Sequence, residues 1–318
     1  MEETKDYQHL RSPQKTESLP THQTVELKFS VPWGHIAGRA WGDPCGQPVL
    51  CVHGILDNAG SFDGLIPLLP SIFYCVCVDL PGHGYSSHFP QGLPLDFMDY
   101  VLALVRVLNQ LQWESCCYIG HSLGGHLGLY LCSLWPEKVR KLVLLDTIGP
   151  MYVNAGMYLS HNNMMMEEVL TIEKKFSKEK SPSYSYKEAL DRVTINRYSE
   201  ITEEVAKILL RRSLMKNDDG TFRFITDQRL KSGLRPLLNE RQQQLILNGA
   251  KCPILAVLSS LPRMIGTIDD VMTDFELFNS KQNFQRIDVE GSHDLYMNYP
   301  ERVTPYIGKF LINQRCAL

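Results

Sequence analysis

Gly120-His121-Ser122-Leu123-Gly124 follows the short apolar run Cys116-Cys117-Tyr118-Ile119 and opens a helical pattern through Leu127, Leu131 and Leu134. A serine on a sharp strand-to-helix turn, the nucleophile elbow, is lifted clear of its sheet, where its hydroxyl can attack a substrate. The flanking glycines fit that geometry. A tight turn pushes the backbone toward unusual φ/ψ, and a Cβ two residues to either side would meet the neighbouring chain. Gly125 and Gly128 fall early in the following helix. Each costs about 1 kcal/mol relative to alanine there, which close packing of helix on sheet would offset. The competing reading of Ser122 is a helix N-cap, its hydroxyl spent on a backbone amide. A serine hydroxyl is a poor nucleophile at neutral pH and needs a base in hydrogen-bond reach, held in one tautomer by an acceptor. The rest of the chain must supply both.

With 318 residues, 44% hydrophobic and 21% charged, the chain can bury a full core and reads as one large domain with an insertion. A net charge of -3 and a pI near 6.4 give no electrostatic reason to expect nucleic acid or an anionic membrane, so the expected partner is a small molecule; the oligomeric state is open. There is no apolar run of about 18 residues, and the chain begins Met-Glu-Glu-Thr-Lys-Asp rather than basic then apolar, so neither a transmembrane segment nor a secretory signal is expected. Nine cysteines, mostly inside apolar runs, behave as small hydrophobes and argue for a reducing compartment, as does the lack of any Asn-x-Ser/Thr acceptor. Cytoplasmic residence is the expectation. The terminal Cys316-Ala317-Leu318 ends in leucine like a peroxisomal signal but lacks its basic middle residue, which leaves a peroxisomal location the weaker alternative. No metal-ligand spacing of Cys or His is present, and no cofactor is expected.

Residues 1–23 are polar and read as a disordered tail. Thr24 to Val31 and His35 to Trp41, joined by Pro32-Trp33-Gly34, signal a hairpin. Six continuous apolar or β-rich runs follow: Pro48 to His53, Phe73 to Asp79, Ser115 to Gly120, Val139 to Asp146, Cys252 to Leu258 and Phe284 to Val289. They mostly lack the alternation of half-exposed strands and so predict a parallel sheet covered on both faces. Helical stretches at Phe97 to Leu111, Leu123 to Leu134 and Pro300 to Leu311 separate them. The fold class is α/β, with about eight strands in a mostly parallel sheet. Residues 24–146 and 251–318 form this core; residues 147–250, polar, helical in period and without a convincing strand, read as an inserted helical cap. Its expected helices are Met165 to Phe176, Tyr186 to Ile195, Thr202 to Met215 and Pro236 to Leu247. Met151, Met157, Met164, Met165 and Met166 would either line an acyl or aromatic pocket or fill the cap's own core.

Taken in order, these motifs resemble the α/β-hydrolase superfamily over the whole chain after the tail. Cys51-Val52-His53-Gly54-Ile55 is similar to its His-Gly oxyanion loop, Asp79-Leu80-Pro81-Gly82-His83-Gly84-Tyr85-Ser86 to the Asp-x-x-Gly-x-Gly-x-Ser loop, and Gly291-Ser292-His293 to the segment carrying the family's catalytic histidine. Val31-Pro32-Trp33-Gly34-His35-Ile36 and the run from His53-Gly54 to Leu56-Asp57-Asn58 resemble the animal serine hydrolase-like proteins. The resemblance implies Ser122 as nucleophile, His293 as base, and loop-shaping roles for His53, His83 and His121. Relatives usually carry the acid in a Gly-x-x-Asp turn after a Pro-Ile-Leu strand; here Ser259 stands for the glycine and Pro262 for the acid. Two replacements are open. Asp146 ends the strand after the elbow helix, a position some relatives use, whereas Asp269 and Asp270 lie further along the altered loop. Asp146 is preferred because a strand end holds a carboxylate more rigidly than a long loop. The oxyanion donors would be the amides of Ile55 and Leu123.

The expected function is that of a serine hydrolase, an esterase or thioesterase cleaving a small to medium acyl substrate through a Ser-His-Asp acyl-enzyme. Carbon-carbon bond hydrolysis uses the same triad, and the lost Gly-x-x-Asp turn leaves a ligand-binding pseudoenzyme as the alternative of another class. Substrate identity belongs to pocket shape and is not written in these motifs.

Overall fold

The central apolar runs become strands sandwiched between two hydrophobic layers, while the run Phe284–Val289 forms a more exposed edge strand. The computed structural model describes residues 24–313 apart from 93, 150–154, 179–181, 196, 198, 233, 235–237 and 261–281. The 1–23 tail, Met151, Pro236, Asp269, Asp270 and Cys316-Ala317-Leu318 lie outside the described residues. The strands are β1 (Thr24–Val31), β2 (Gly34–Trp41), β3 (Gln47–Val52), β4 (Phe73–Val78), β5 (Cys116–His121), β6 (Val139–Leu145), β7 (Leu214–Lys216), β8 (Phe222–Phe224), β9 (Ile254–Ser259) and β10 (Phe284–Val289). Eight of them form one sheet in the order β1-β2-β4-β3-β5-β6-β9-β10. Its β1/β2 and β2/β4 pairs are antiparallel and the others parallel. This is the α/β architecture expected, with the leading hairpin at one edge.

Alternate residues of each central strand enter opposite layers. Leu50, Val52, Tyr118, Leu142, Leu144 and Ala256 join the first. Val49, Cys51, Ile119, Val143, Leu145 and Val257 join the second. Both faces are therefore apolar and the alternation vanishes from the sequence. The first layer is closed by α1 (Phe97–Gln110) and α2 (Leu123–Leu134). Asp96 caps α1 by accepting from the Met98 amide, and its apolar face buries Phe97, Tyr100, Val101, Leu104, Val107 and Leu108. At about 1.5–3 kcal/mol per large side chain, that packing rather than propensity holds so short a helix. α2 lies close on the sheet: a Cβ at Gly124 would collide with the Val52 carbonyl, and one at Gly128 with the Tyr118 ring. The second layer takes the short α7 (Leu295–Asn298) and α8 (Pro300–Ile312). The eight described cysteines are free, and all but Cys45 are buried.

Between β6 and β9 come α3 (Tyr158–Lys178), α4 (Tyr186–Ile195), α5 (Glu203–Ser213) and α6 (Glu240–Gly249). α6 starts later than its period suggests because Asn239 and Gln242 form a capping box. α5 stops at Ser213, and Leu214–Lys216 pairs antiparallel with Phe222–Phe224. These strands lie outside the sequence expectation because three residues are too few to show alternation; the hairpin signal is Asp219-Gly220 between the short runs Leu214-Met215-Lys216 and Phe222-Arg223-Phe224. Of the described methionines in and beside α3, Met165 is half-buried and three others are exposed. Met157, just before α3, and Met164 and Met166 within it are 62%, 56% and 58% exposed and so do not fill a core of the segment.

The intervening segment meets the ends of β3 and β4 through α5. Asn58 donates to the Leu209 carbonyl at 2.9 Å. Arg212, 1% exposed, donates to the fully buried Asp79 from Nη2 at 2.7 Å and from Nε at 3.1 Å, and its Nη1 reaches Glu26. Asp79 also accepts from the Ala59 and Tyr85 amides, which ties the loops after β3 and β4 to one carboxylate.

Candidate active site

β5 delivers the chain to Ser122, whose backbone sits at φ 48° and ψ -114° before α2 begins at Leu123. This is a strained conformation for a residue with a Cβ, maintained by the surroundings. The Ser122 amide donates to the Leu145 carbonyl at 3.1 Å. Gly120 and Gly124 are required because a Cβ on either would strike backbone, that of Gly124 and of Val52 respectively. Ser122 occupies the N-cap position, yet its side chain makes no capping hydrogen bond, so the hydroxyl is not consumed there. Leu123, opening α2, belongs to the first turn, where amides lack intrahelical acceptors.

Asp146 follows β6 with φ 46°, its amide bound to the Val257 carbonyl of β9 at 2.8 Å. One carboxylate oxygen, Oδ2, accepts from His293 Nδ1 at 2.6 Å. The other, Oδ1, accepts from the Ser259 amide at 2.7 Å and the Ser259 hydroxyl at 2.8 Å. Thus the serine standing where relatives carry glycine holds the carboxylate that meets the histidine. Burial opposes charging His293, but the hydrogen bond and charge of Asp146, with Asp294 and Asp57 beyond, raise its pKa above the ordinary value. With Nδ1 donating to Asp146, Nε2 carries the lone pair that can take a proton.

Three other histidines crowd the same loops, and their hydrogen bonds are used structurally. His53 Nδ1 donates to the Gly54 carbonyl while Nε2 accepts from the Leu80 amide. His83 Nδ1 donates to the Pro81 carbonyl while Nε2 accepts from the Leu56 amide, shaping the turn that carries Ile55. Burial pushes His53 down to about 4 and His83 well below the usual histidine range. His121 donates from Nε2 to the His293 carbonyl at 3.1 Å, and its ring centroid lies 4.6 Å from that of His293. Burial, and then the neighbouring His293, push it down to about 3, so it stays neutral beside any charge on His293.

Sequence reasoning did not foresee the charged group behind the histidine. Arg197 Nη2 lies 2.8 Å from Asp57 Oδ1 and 3.2 Å from Asp294 Oδ1. Asp57, His121 and Asp294 bring ligand-type atoms within 4.8 Å of one another, a grouping a metal could use, but the guanidinium already supplies the positive charge there. Asp57 lay within a motif; Arg197, in a polar stretch without periodicity, gave no signal.

The sequence pattern of the α/β hydrolase fold matches residues 47–243, which takes in Ser122 and Asp146. The chain belongs to the α/β-hydrolase family. Similar curated proteins include human serine hydrolase-like protein 2, 36% identical over 302 residues covering 90% of this chain and 93% of that one. A serine hydrolase-like protein of Danio rerio is 34% identical, covering 90% and 88%, and a probable serine hydrolase of Drosophila melanogaster 31%, covering 90% and 87%. Among solved structures, a hypothetical protein of Pseudomonas aeruginosa PAO1 superposes with a TM-score of 0.80 at 26% identity, covering 91% of this chain and 99% of that one. The thioesterase domain from the curacin biosynthetic pathway gives 0.75 at 22% identity, covering 90% and 99%, a likeness of fold. Among the described residues of this α/β hydrolase, no helix is long and apolar enough to cross a membrane.

Proposed function

We propose that this α/β hydrolase is a serine esterase or thioesterase that cleaves acyl substrates through an acyl-enzyme on Ser122. The observation that carries the reading is the 2.6 Å contact between Asp146 Oδ2 and His293 Nδ1, assembled from residues 147 positions apart. It orients one imidazole and stabilises the positive charge that ring takes up during reaction.

Ser122 Oγ attacks the substrate carbonyl while its proton passes to His293 Nε2. The oxygen that becomes negative is held by the amides of Leu123 and Ile55, an interaction stronger in the transition state than in the ground state. Collapse breaks the carbonyl-to-oxygen or carbonyl-to-sulfur bond, and the leaving alcohol or thiol departs with the proton from His293. Water, deprotonated by the same ring, then hydrolyses the ester on Ser122. None of these steps draws on a cofactor. Residues 147–250 act as a cap over the core of 24–146 and 251–318, a reading supported by the contacts of α5 with Asn58 and Asp79. The names of its serine hydrolase-like relatives support the same class.

Labelling with a fluorophosphonate tests the reading. The wild-type chain should be modified once, at Ser122, and Ser122→Ala should be inert. A folded wild-type chain that resists the probe would instead be a binding protein on a hydrolase fold.

A further inference from the structure

Arg197 lies between α4 and α5, far from the elbow in sequence, yet its guanidinium is lodged among residues flanking the candidate chemistry. Nη2 pairs with Asp57 Oδ1 at 2.8 Å, and Nε and Nη2 reach Asp294 Oδ2 and Oδ1 at 3.3 and 3.2 Å. Asp57 is two residues beyond Ile55, in a turn closed by its own amide on the Gly54 carbonyl. Asp294 directly follows His293. Ser199, on the same segment as Arg197, donates its hydroxyl to Asp294 Oδ2 at 2.6 Å and accepts from the Asp294 amide at 3.1 Å. Further along, the Thr202 amide and the Glu200 carbonyl both bond the Asn298 side chain. One short stretch of the inserted segment is therefore stitched along the turn that carries His293 and, through a single guanidinium, to the loop that carries Ile55.

We propose that Arg197 is a positioning residue: it fixes the loop of the candidate oxyanion donor relative to the turn of the candidate base, so that the active geometry forms only when the inserted segment is docked. The inference rests on the serine-hydrolase reading above. Its physical basis is the burial of Asp57 and Asp294, 3% and 1% exposed, whose charges repel unless a cation lies between them. Burial pushes Asp57 up to about 6 even with Arg197 offsetting part of that rise, whereas at Asp294 burial is outweighed by Arg197 together with His121, His293 and the Ser199 hydroxyl, which hold its carboxyl below the usual range. The titratable groups facing this cluster are His121, His293 and Tyr296, with Asp146 on the far side of His293. Without the guanidinium the two carboxylates lose their common partner, and the loop and the turn lose the tie that this side chain makes between them. Displacing a reacting group by about 1 Å is enough to cost about 100-fold in rate.

The test separates rate from amount. Fluorophosphonate labelling of the full chain gives a rate constant at saturating probe, a half-saturation concentration and a final stoichiometry. Arg197→Met should lower the rate constant at least tenfold while half-saturation stays near wild type, and Arg197→Lys, which keeps the charge without the fork, should fall between. Asp57→Asn, which removes one partner of the cation, should slow labelling in the same sense, and it decides the matter if Arg197→Met does not fold. Wild-type rate constants in folded Arg197→Met, or a reduced stoichiometry at the wild-type rate, would reduce Arg197 to a structural salt bridge and overturn the inference while the serine-hydrolase reading stands. If the wild-type chain is not labelled, the reading itself falls and takes this inference with it.

Discussion

Ser259 gives both of its donors, amide and hydroxyl, to the one Asp146 oxygen that His293 does not use. The carboxylate is thereby fixed on both sides, at the end of β6, across from the strand whose following loop has lost the usual acid. A carboxylate held through one oxygen alone would be freer to rotate; this one is held through both.

Replacing the hydroxyl should expose the value of that clamp. Ser259→Ala keeps the amide hydrogen bond and loses the other. A hydrogen bond to a charged group is worth about 1.5–3 kcal/mol, so if the loss falls on the transition state kcat/KM should drop about 10- to 100-fold. Parallel thermal melts should show only a small change, and an unaltered kcat/KM would reduce Ser259 to a packing residue.

Asp146→Asn should preserve shape while favouring the wrong imidazole tautomer. In a serine protease the corresponding change costs about 10⁴ in kcat, and a loss of that order is expected here. Asp269→Asn and Asp270→Asn should leave kcat within about twofold. A silent Asp146→Asn with a crippled Asp269→Asn or Asp270→Asn would transfer the acid to the loop after β9.

The pH profile follows from His293. Its folded pKa is raised above the ordinary 6.5, and only the neutral ring can accept the serine proton. The acid limb of kcat/KM should therefore have its midpoint above 6.5, with activity lost as pH falls through it. Asp146→Asn removes the largest contribution raising that pKa and should shift the midpoint of residual activity downward. The same shift has the opposite sense for stability. The folded state holds the proton more tightly than the unfolded chain, so this stabilisation is complete below about 6.5 and disappears as pH rises through the folded value. An acid limb centred below 6.5 would assign the titration to another group.

Arg212→Met should test the second ionic tie. Asp79 would be left buried with its charge uncompensated, a change that typically costs about 3–5 kcal/mol. Urea unfolding should show a loss of that size, and a loss under 1 kcal/mol would mean that solvent reaches Asp79 when the arginine is gone.

Ser122 was legible because the elbow is local: strand, tight turn and helix start lie within a few residues, and each glycine answers a collision that the motif itself implies. The sheet was legible because covering it on both faces writes unbroken apolar runs. The hairpin at Leu214–Lys216 and Phe222–Phe224 escaped because its strands are too short to carry a period. The sequence by itself thus determined the architecture and the position of the serine. Only the tertiary structure decided which described carboxylate meets His293, and that Ser259, Arg197 and Asp57 gather around that pair. Those partners are brought together by strand order and by docking of the inserted segment across separations of about a hundred residues, and a single charge leaves no periodic trace in a sequence by which such a meeting could be read.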